Sequence, residues 1–193
     1  TGLCSRNRQG RSIWQNIRLE KRQQKFCDQF DIHCCDGCGQ CCEHFTPDID
    51  EVEALFLAYG LIKENRDQEV LDLIHSKDMT IDNFCPLYRM NNPFHCSVYK
   101  FRPLICRLFG ASASHDKDNN FVFKKCKFNS IGHDVGKEEF NKHKSMVVLM
   151  SDYGEAIKEI DPANTKRELL PYALEKAINK IRFILDLVSK ENK

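Results

Sequence analysis

The sequence predicts a mainly α-helical fold in which helices pack around an irregular, cysteine-rich metal-binding lobe with one small β-hairpin. Three observations predict this. Apolar residues recur at helical spacing towards both ends, most of the 11 cysteines lie in the middle, and prolines interrupt residues 83–110. With 193 residues, 41% hydrophobic and 30% charged, the chain is long enough to bury one sizeable core. We therefore expect a single domain over residues 1–193.

The N-terminal region predicts an amphipathic helix over residues 12–30. Its apolar residues at helical spacing are Ile13, Ile17, Phe26 and Phe30. Cys27 lies near this apolar face and is predicted to be a packed thiol, whereas Cys4 is assigned no ligand role. The excess of basic residues here is expected to be a solvated helix face, so a role in binding nucleic acid is not expected.

Two scaffold helices are predicted between residues 46 and 75. Thr46 or Asp48 can cap the first helix, and Gly60 can end it. The predicted apolar stripes are Val52, Leu55, Phe56 and Tyr59 in the first helix, and Val70, Leu71 and Ile74 in the second.

The segment from residue 83 to residue 110 is predicted to be irregular, because its prolines break both helices and strand ladders. Pro103 suits a first helical turn, so a short helix carrying Cys106 is expected after it. Further on, Asp116 to Asn120 predicts a turn and residues 121–123 a strand. Residues 137–193 predict C-terminal helices, and the core-facing stripe of the last one is Leu174, Ile178, Ile181, Leu185 and Val188.

The cysteine-rich loop is the densest chemical feature, with four cysteines in eight positions: Cys35-Asp36-Gly37-Cys38-Gly39-Gln40-Cys41-Cys42. This density is typical of a metal or metal-cluster loop, because several thiolates lie within reach of one centre. A redox pair of Cys35 and Cys38 is an alternative, but the preceding residues are too short and polar for a thioredoxin-like context. In a reducing cytosol, 11 cysteines cannot be held as disulfides, which favours metal ligation.

Three motifs follow one another in the order of a known family. They are Cys35-x-x-Cys38-Gly39-x-Cys41-Cys42, then Cys85-Pro86-Leu87, then Cys96-x-x-Tyr99-x-x-Arg102-Pro103-x-x-Cys106-Arg107. Together they resemble the YkgJ-type cysteine-cluster family, for which chelation of zinc or iron is suggested. The resemblance covers roughly residues 34–132. Cys126 matches a late family cysteine, but residues 127–130 depart from the family pattern Cys-Pro-Gly-Ile-Gly.

The resemblance implies a set of metal ligands. These are Cys35, Cys38, Cys41, Cys42, Cys85, Cys96, Cys106 and Cys126. Cys34 could replace Cys35 as the first ligand, although the family spacing favours Cys35. Neighbouring side chains diverge, so Cys41 and Cys42 are expected to serve two centres or one bulky cluster. Eight thiolates suffice for two four-ligand sites.

The choice of metal stays open at this point, because four thiolates suit either zinc or an iron–sulfur cluster. The knuckle-like Cys35-x-x-Cys38-Gly39 fits zinc, whereas the close spacing of three cysteines and Cys85-Pro86 fit iron–sulfur ligand runs. The adjacent pair Cys41 and Cys42 favours an iron–sulfur cluster, since a cluster offers several iron corners.

Several neighbours of the cysteines have two interpretations. His33, His44 and His95 are close enough in sequence to complete a mixed site, but exposed or supporting positions are expected for most of them. Arg102 and Arg107 can lower the pKa of nearby thiols. Alternatively, Arg102 forms an ion pair with a carboxylate such as that of Asp82 and only fixes the position of the loop. Packing roles are expected for the rings of Tyr88 and Tyr99.

The predicted function is a metal-binding protein whose centre is structural, electron-transferring or sensory. The alternative, implied by a similar cysteine domain in flagellin lysine N-methylases, is a module of a protein-modifying enzyme that uses S-adenosylmethionine. The net charge of +1 favours no class of partner, and a protein partner stays open. No stretch is apolar enough to span a membrane and no signal peptide is evident, so we expect a cytoplasmic protein.

Overall fold

The computed structural model describes residues 19–34, 38–76, 85–129, 132–163 and 166–191. The predicted mainly α-helical fold is confirmed over these ranges. The α-helices are α1 (Leu19–Gln29), α2 (Gln40–Glu43), α3 (Glu51–Lys63), α4 (Asp67–His75), α5 (Leu104–Leu108), α6 (Lys137–Lys142), α7 (Met150–Lys158) and α8 (Leu170–Glu191). The strands are β1 (Asp48–Asp50), β2 (Ser114–His115), β3 (Phe121–Val122) and β4 (Arg167–Leu169). Short 3-10 helices cover Tyr99–Phe101 and Lys144–Met146.

The chain divides into two compact units. The first unit comprises the described residues of Thr1–Gln40 and Leu104–Glu159, and the second unit those of Cys41–Pro103 and Ile160–Lys193. Two of the three divisions fall within predicted motifs, one inside the cysteine loop and the other directly after Pro103. The expected single domain stays a prediction.

The core of the first unit is built around an aromatic cluster of Phe26, Phe30 and Phe140. The ring centroids lie 5.2 Å apart for Phe26 and Phe30, and 4.6 Å apart for Phe30 and Phe140. All three side chains are fully buried. Two of them come from the predicted N-terminal helix, whose apolar face is confirmed for α1. Residues 12–18 of that helix lie outside the described ranges.

The predicted β-hairpin is present in the first unit. Strands β2 and β3 pair antiparallel, with Ser114 opposite Val122 and His115 opposite Phe121. The Asp116 carboxylate accepts backbone N–H bonds from Asp118 and Asn120, each at 2.9 Å. These bonds, with the backbone donor of Asn120 contributing most, lower the pKa of Asp116. The turn therefore forms where the sequence predicts it.

The start of α3 differs from the prediction. Asp50, rather than Thr46 or Asp48, is the capping residue: its carboxylate accepts the Glu53 N–H at 3.0 Å, and the Glu53 carboxylate accepts the Asp50 N–H at 3.4 Å. The reason is that Asp48–Asp50 forms β1, paired antiparallel with β4. The chain stays extended through this pairing and can turn into a helix only after it.

The buried face of α3 also differs from the predicted stripe. The helix packs along α8 through small and aliphatic residues that include Ala54, Leu57 and Ala58, whereas Tyr59 is 58% exposed. Gly60 does not end the helix, which continues to Lys63. A Cβ at Gly60 would overlap the Phe101 ring, so this glycine provides room for a close approach.

The predicted buried stripe is confirmed for α4 but only in part for α8. In α4, Val70, Leu71 and Ile74 are buried, as predicted. In α8, the first half of the stripe is buried, but Leu185 and Val188 are 51% and 49% exposed. The expectation that the whole stripe faces the core is therefore wrong, because the last turns of α8 are exposed throughout. None of the described helices combines the length and apolar character needed to cross a lipid bilayer.

Candidate metal centre

The short helix α2 carries two predicted ligands of the second unit, Cys41 and Cys42. It follows Gly39, whose φ of 57° lies in the left-handed region that glycine tolerates best. The thiols of Cys41 and Cys42 are joined by a hydrogen bond. The expectation that these adjacent side chains diverge is therefore wrong, because the two thiols on this short helix are in hydrogen-bonding contact.

Two further predicted ligands of the second unit, Cys85 and Cys96, lie in tight turns that aim backbone donors at sulfur. The N–H groups of Leu87 and Tyr88 donate to the Cys85 sulfur, and the Val98 N–H donates to the Cys96 sulfur. An antiparallel bridge between Tyr88 and Cys96 holds the two turns side by side. Hydrogen bonds to sulfur of this kind stabilise thiolates in metal sites and tune the metal.

The turn of Cys85 is joined directly to α2. The Cys85 N–H donates to the Cys42 carbonyl oxygen at 2.8 Å. Cys85 and Cys96 are only 6% and 9% exposed, and both belong to the hydrophobic core of the second unit, against which Cys42 also packs. Cys42, Cys85 and Cys96 therefore share one apolar neighbourhood, in which Cys85 and Cys96 are buried and Cys42 is half-buried.

Burial controls the charge of these thiols. It raises the pKa of Cys85 to about 12, and the nearby Cys96 and Cys41 add smaller repulsive effects. Burial likewise raises the pKa of Cys96, although its Val98 donor and the charges of Arg102 and Arg66 oppose the shift. The pKa of Cys41 is raised first by its hydrogen bond with Cys42 and then by burial. Without a cation, these groups are therefore neutral thiols near pH 7.

The arginines of the last motif have different surroundings. The Arg102 guanidinium lies 3.8 Å from the centroid of the Tyr99 ring and donates to the Tyr99 carbonyl at 3.0 Å. Its charge acts on Cys96. Arg107 is only 3% exposed and pairs with Glu20 of α1 at 2.9 Å. Asp82, the partner suggested for Arg102, lies outside the described ranges.

The predicted ligands of the first unit that the structure describes are Cys38, Cys106 and Cys126. All three are half-buried thiols outside any disulfide, and so is Cys34, four residues before Cys38. Cys106 lies on α5, which confirms the short helix predicted after Pro103. Directly after α5, a Cβ built on Gly110 would lie 3.8 Å from the Cβ of Cys126. The residues that follow Cys106 therefore pack next to Cys126.

Asn129 ties the Cys126 loop to the residue preceding Cys34. Its side-chain amide donates to the His33 carbonyl oxygen, and its Oδ1 accepts the Gly132 N–H at 3.1 Å. The side chain is only 7% exposed. Asn129 is one of the residues that depart from the family pattern, and here it provides the contact between two cysteine loops.

Cys27 is buried as predicted, at 1% exposed, but it is disulfide-bonded, so the expectation of a packed thiol is wrong. Cys35 lies outside the described ranges, and its ligand role stays a prediction.

The histidines beside the cysteines have contacts away from the thiols. His33 pairs with Asp31 at 2.9 Å, and its side chain is about half exposed. His95 stacks on Tyr88, with a centroid distance of 5.6 Å, and its Nδ1 lies 3.2 Å from the Arg89 carbonyl oxygen. His44 is exposed. These positions support the interpretation that the histidines are not the main ligands.

The donor chemistry of the second unit fits a thiophilic metal, because buried thiols are accompanied by N–H donors and by arginine charge. Within the described ranges, no three His, Cys, Asp or Glu side chains already converge at metal-binding distances. The described thiols of the second unit are therefore neighbours, but their sulfurs do not surround a common metal position. The ligand set as a whole stays a prediction.

Sequence reasoning missed several residues that support the site. They are Leu87 and Val98, which donate backbone N–H bonds to sulfur, Arg66, which acts on Cys96, and Asn129. The turns after Cys85 and Cys96 could have indicated the donors, because a backbone that turns after a cysteine directs the next N–H groups towards its sulfur. No local signal indicates Arg66, whose guanidinium reaches the Ser97 carbonyl at 2.9 Å from the helix α4 region.

Comparison with known proteins identifies one relationship. No curated protein and no solved structure shows significant similarity to the chain. A family model does match residues 34–144, and its description is "CxxCxxCC: Putative zinc- or iron-chelating domain". The match covers more than half of the 193 residues and extends from the cysteine loop past Cys126. The protein therefore belongs to this CxxCxxCC family of cysteine-cluster domains.

Proposed function

We propose that the protein holds metal through cysteine thiolates, and that the centre in the second unit ties its irregular segments to the helical core. The observation that carries the proposal is that Cys41 and Cys42 lie next to the buried Cys85 and Cys96. These cysteines lie on two segments far apart in sequence. A metal bound by all four would cross-link the segments, which is a structural role.

An iron–sulfur cluster is favoured over a single zinc ion. The adjacent thiols of Cys41 and Cys42 can bind neighbouring iron atoms of one cluster. Backbone N–H groups directed at Cys85 and Cys96 also suit a cluster, since such bonds offset negative charge on the ligand sulfurs.

The test is anaerobic purification followed by visible spectroscopy and by analysis of iron, zinc and acid-labile sulfide. We expect a brown protein with broad visible absorption and with iron and sulfide in stoichiometric amounts. A colourless protein with stoichiometric zinc would show that the centre holds zinc and not an iron–sulfur cluster. A protein without either metal would contradict the proposal.

The structural role has its own test. A strong chelator applied to the reduced, metal-loaded protein should lower its melting temperature and weaken its near-UV circular dichroism, because metal binding and folding are coupled. A melting temperature unchanged after complete removal of the metal would contradict a structural role and leave electron transfer or sensing.

The alternative of an enzyme module rests on family resemblance alone. Calorimetric titration with S-adenosylmethionine tests it directly. Saturable binding would support a methylase module, and no binding up to millimolar ligand would remove it.

A further inference from the structure

We propose that an open pocket of the second unit binds a small organic monoanion, a short aliphatic carboxylate, without using the cysteines. The pocket has a volume of about 250 Å³ and is lined by residues of β1, β4, the start of α3 and the first turns of α8. None of the described residues that line it is a cysteine or a histidine. This site therefore lies outside the predicted metal ligands and goes beyond the proposed function.

The floor of the pocket is apolar. Ile49 of β1 is fully buried, and Ala173 and Ala177 of α8 are only 7% and 3% exposed. The two alanines are four residues apart, so they lie on the same face of the helix. Because their side chains are small, they leave room that a longer aliphatic side chain would fill. The short apolar chain of a ligand fits this room.

Charged side chains form the walls of the pocket. They are Glu51, Lys166, Glu168, Lys176 and Lys180. Lys180 pairs with Glu51, whereas Lys166 and Lys176 both pair with Glu168. Three lysines and two glutamates leave one positive charge in excess among the described lining residues. A ligand with a single negative charge would balance this excess.

The excess charge is centred on Glu168. Its Oε1 atom accepts from Lys176 at 2.7 Å and from Lys166 at 3.2 Å, and these two lysines, Lys176 first, lower the pKa of Glu168. An ammonium group has three N–H donors, so both lysines keep donors that Glu168 does not use. Ile49 lies directly opposite Glu168 in the pairing of β1 with β4. The apolar floor and the lysines are therefore adjacent, as a carboxylate with a short apolar chain requires.

The ion pairs around Glu168 can rearrange at little cost. The side chains of Lys166 and Lys176 are 77% and 66% exposed, and exposed ion pairs contribute little to stability. A ligand carboxylate can therefore share these ammonium groups with Glu168 without disrupting the fold. For a ligand of this size, such a site predicts a dissociation constant on the order of 1 mM.

The experiment is a nuclear magnetic resonance titration of the full chain carrying ¹³C-labelled alanine methyl groups. Butanoate, 1-butanol and butylammonium are the probes, because they are similar in size and differ in charge. At constant ionic strength, butanoate should shift the methyl signals of Ala173 and Ala177 to saturation and leave that of Ala113, in the first unit, unchanged. Butanol and butylammonium should bind at least tenfold more weakly.

Two variants separate the charge of the pocket from its space. Lys176→Gln removes one ammonium group and should weaken butanoate binding at least fivefold. Ala177→Leu fills the floor and should abolish the shift at Ala173 while every charged wall residue remains. Lys158→Gln disrupts an exposed pair with Glu155 in the first unit, so it is the matched control and should bind butanoate as the unmodified chain does.

The absence of a saturable shift with butanoate would overturn the inference. Equal affinities for butanoate and butanol, or an unchanged affinity in Lys176→Gln, would also overturn it, because the lysines would then not select an anion. Should Ala177→Leu fail to fold by circular dichroism, the comparison of probes and Lys176→Gln still decide. These outcomes are independent of metal content, which the spectroscopic and metal analyses test separately.

Discussion

The backbone N–H of Cys85 donates a 2.8 Å hydrogen bond to the carbonyl oxygen of Cys42. This contact joins the cysteine loop to the proline-containing segment through their backbones, before any metal is considered. The side chain of Cys85 is then buried in the core of the second unit. Metal binding at these thiols would therefore add to an arrangement that backbone bonds and apolar packing already favour.

The stability of the metal-free protein should depend on pH through Cys85. Its pKa rises from 9.0 to about 12 in the folded state because of burial. Between these values the folded thiol keeps its proton while the unfolded thiol loses it, so stability is full below pH 9 and falls as the pH rises towards 12. One such group contributes a slope of up to about 1.4 kcal/mol per pH unit.

Urea unfolding of the reduced, metal-free protein at pH 8 and pH 10.5 measures this dependence. Cys85→Ala is the comparison, because it removes the titrating thiol and should show a shallower loss between the two pH values. Equal losses in both proteins would show that Cys85 does not contribute.

Capping of α3 predicts a difference between two nearby aspartates. Asp50→Ala removes the carboxylate that accepts the Glu53 N–H and should lower the free energy of unfolding by about 1 kcal/mol. Asp48→Ala is the matched control, since Asp48 is exposed on β1 and does not cap the helix, and it should change stability by less than about 0.5 kcal/mol. Chemical denaturation of both variants gives the comparison, and the reverse order would restore Asp48 as the cap.

Gly60 and Gly154 should respond oppositely to alanine. In α3, a Cβ at Gly60 would overlap the Phe101 ring, so Gly60→Ala should cost roughly 1–3 kcal/mol of stability despite its better helix propensity. In α7, a Cβ at Gly154 meets nothing within 4 Å, so Gly154→Ala should stabilise by about 0.5–1 kcal/mol. Thermal and urea unfolding would detect both effects, and a stabilising Gly60→Ala would contradict the packing of Phe101 on α3.

The ion pair of Arg107 and Glu20 should matter more than an exposed pair. Arg107 is almost fully buried and Glu20 partly exposed, so Glu20→Gln should cost about 1–2 kcal/mol by weakening the compensation of a buried charge. Glu155→Gln disrupts the exposed pair with Lys158 and should change stability by no more than about 0.5 kcal/mol. Two equal and negligible effects in urea denaturation would show that Arg107 does not depend on Glu20.

The first ligand of the cysteine loop can be identified by two single variants. Family spacing assigns this role to Cys35, because two residues between it and Cys38 allow both thiolates to reach one metal. Cys35→Ser should therefore lower cobalt affinity at least tenfold, whereas Cys34→Ser should leave it nearly unchanged. Competition with a chromophoric chelator measures both affinities, and the opposite order would make Cys34 the first ligand.

The helical character of the chain, the cysteine-cluster family and the hairpin after Asp116 could be predicted from the sequence, because each follows from local patterns or motif spacing along the chain. Local hydrogen-bonding groups specify the turn, and motif spacing specifies the cysteine cluster. The buried stripe of α4 follows in the same way from helical periodicity.

Features that depend on partners distant in sequence could not be predicted from local patterns. Asp50 became the cap of α3 because β4, far along the chain, pairs with β1 and keeps Asp48 extended. Gly60 remained inside the helix because Phe101 packs on it. The hydrogen bond from the Cys85 N–H to the Cys42 carbonyl oxygen is of the same kind, since it joins residues 43 positions apart in sequence.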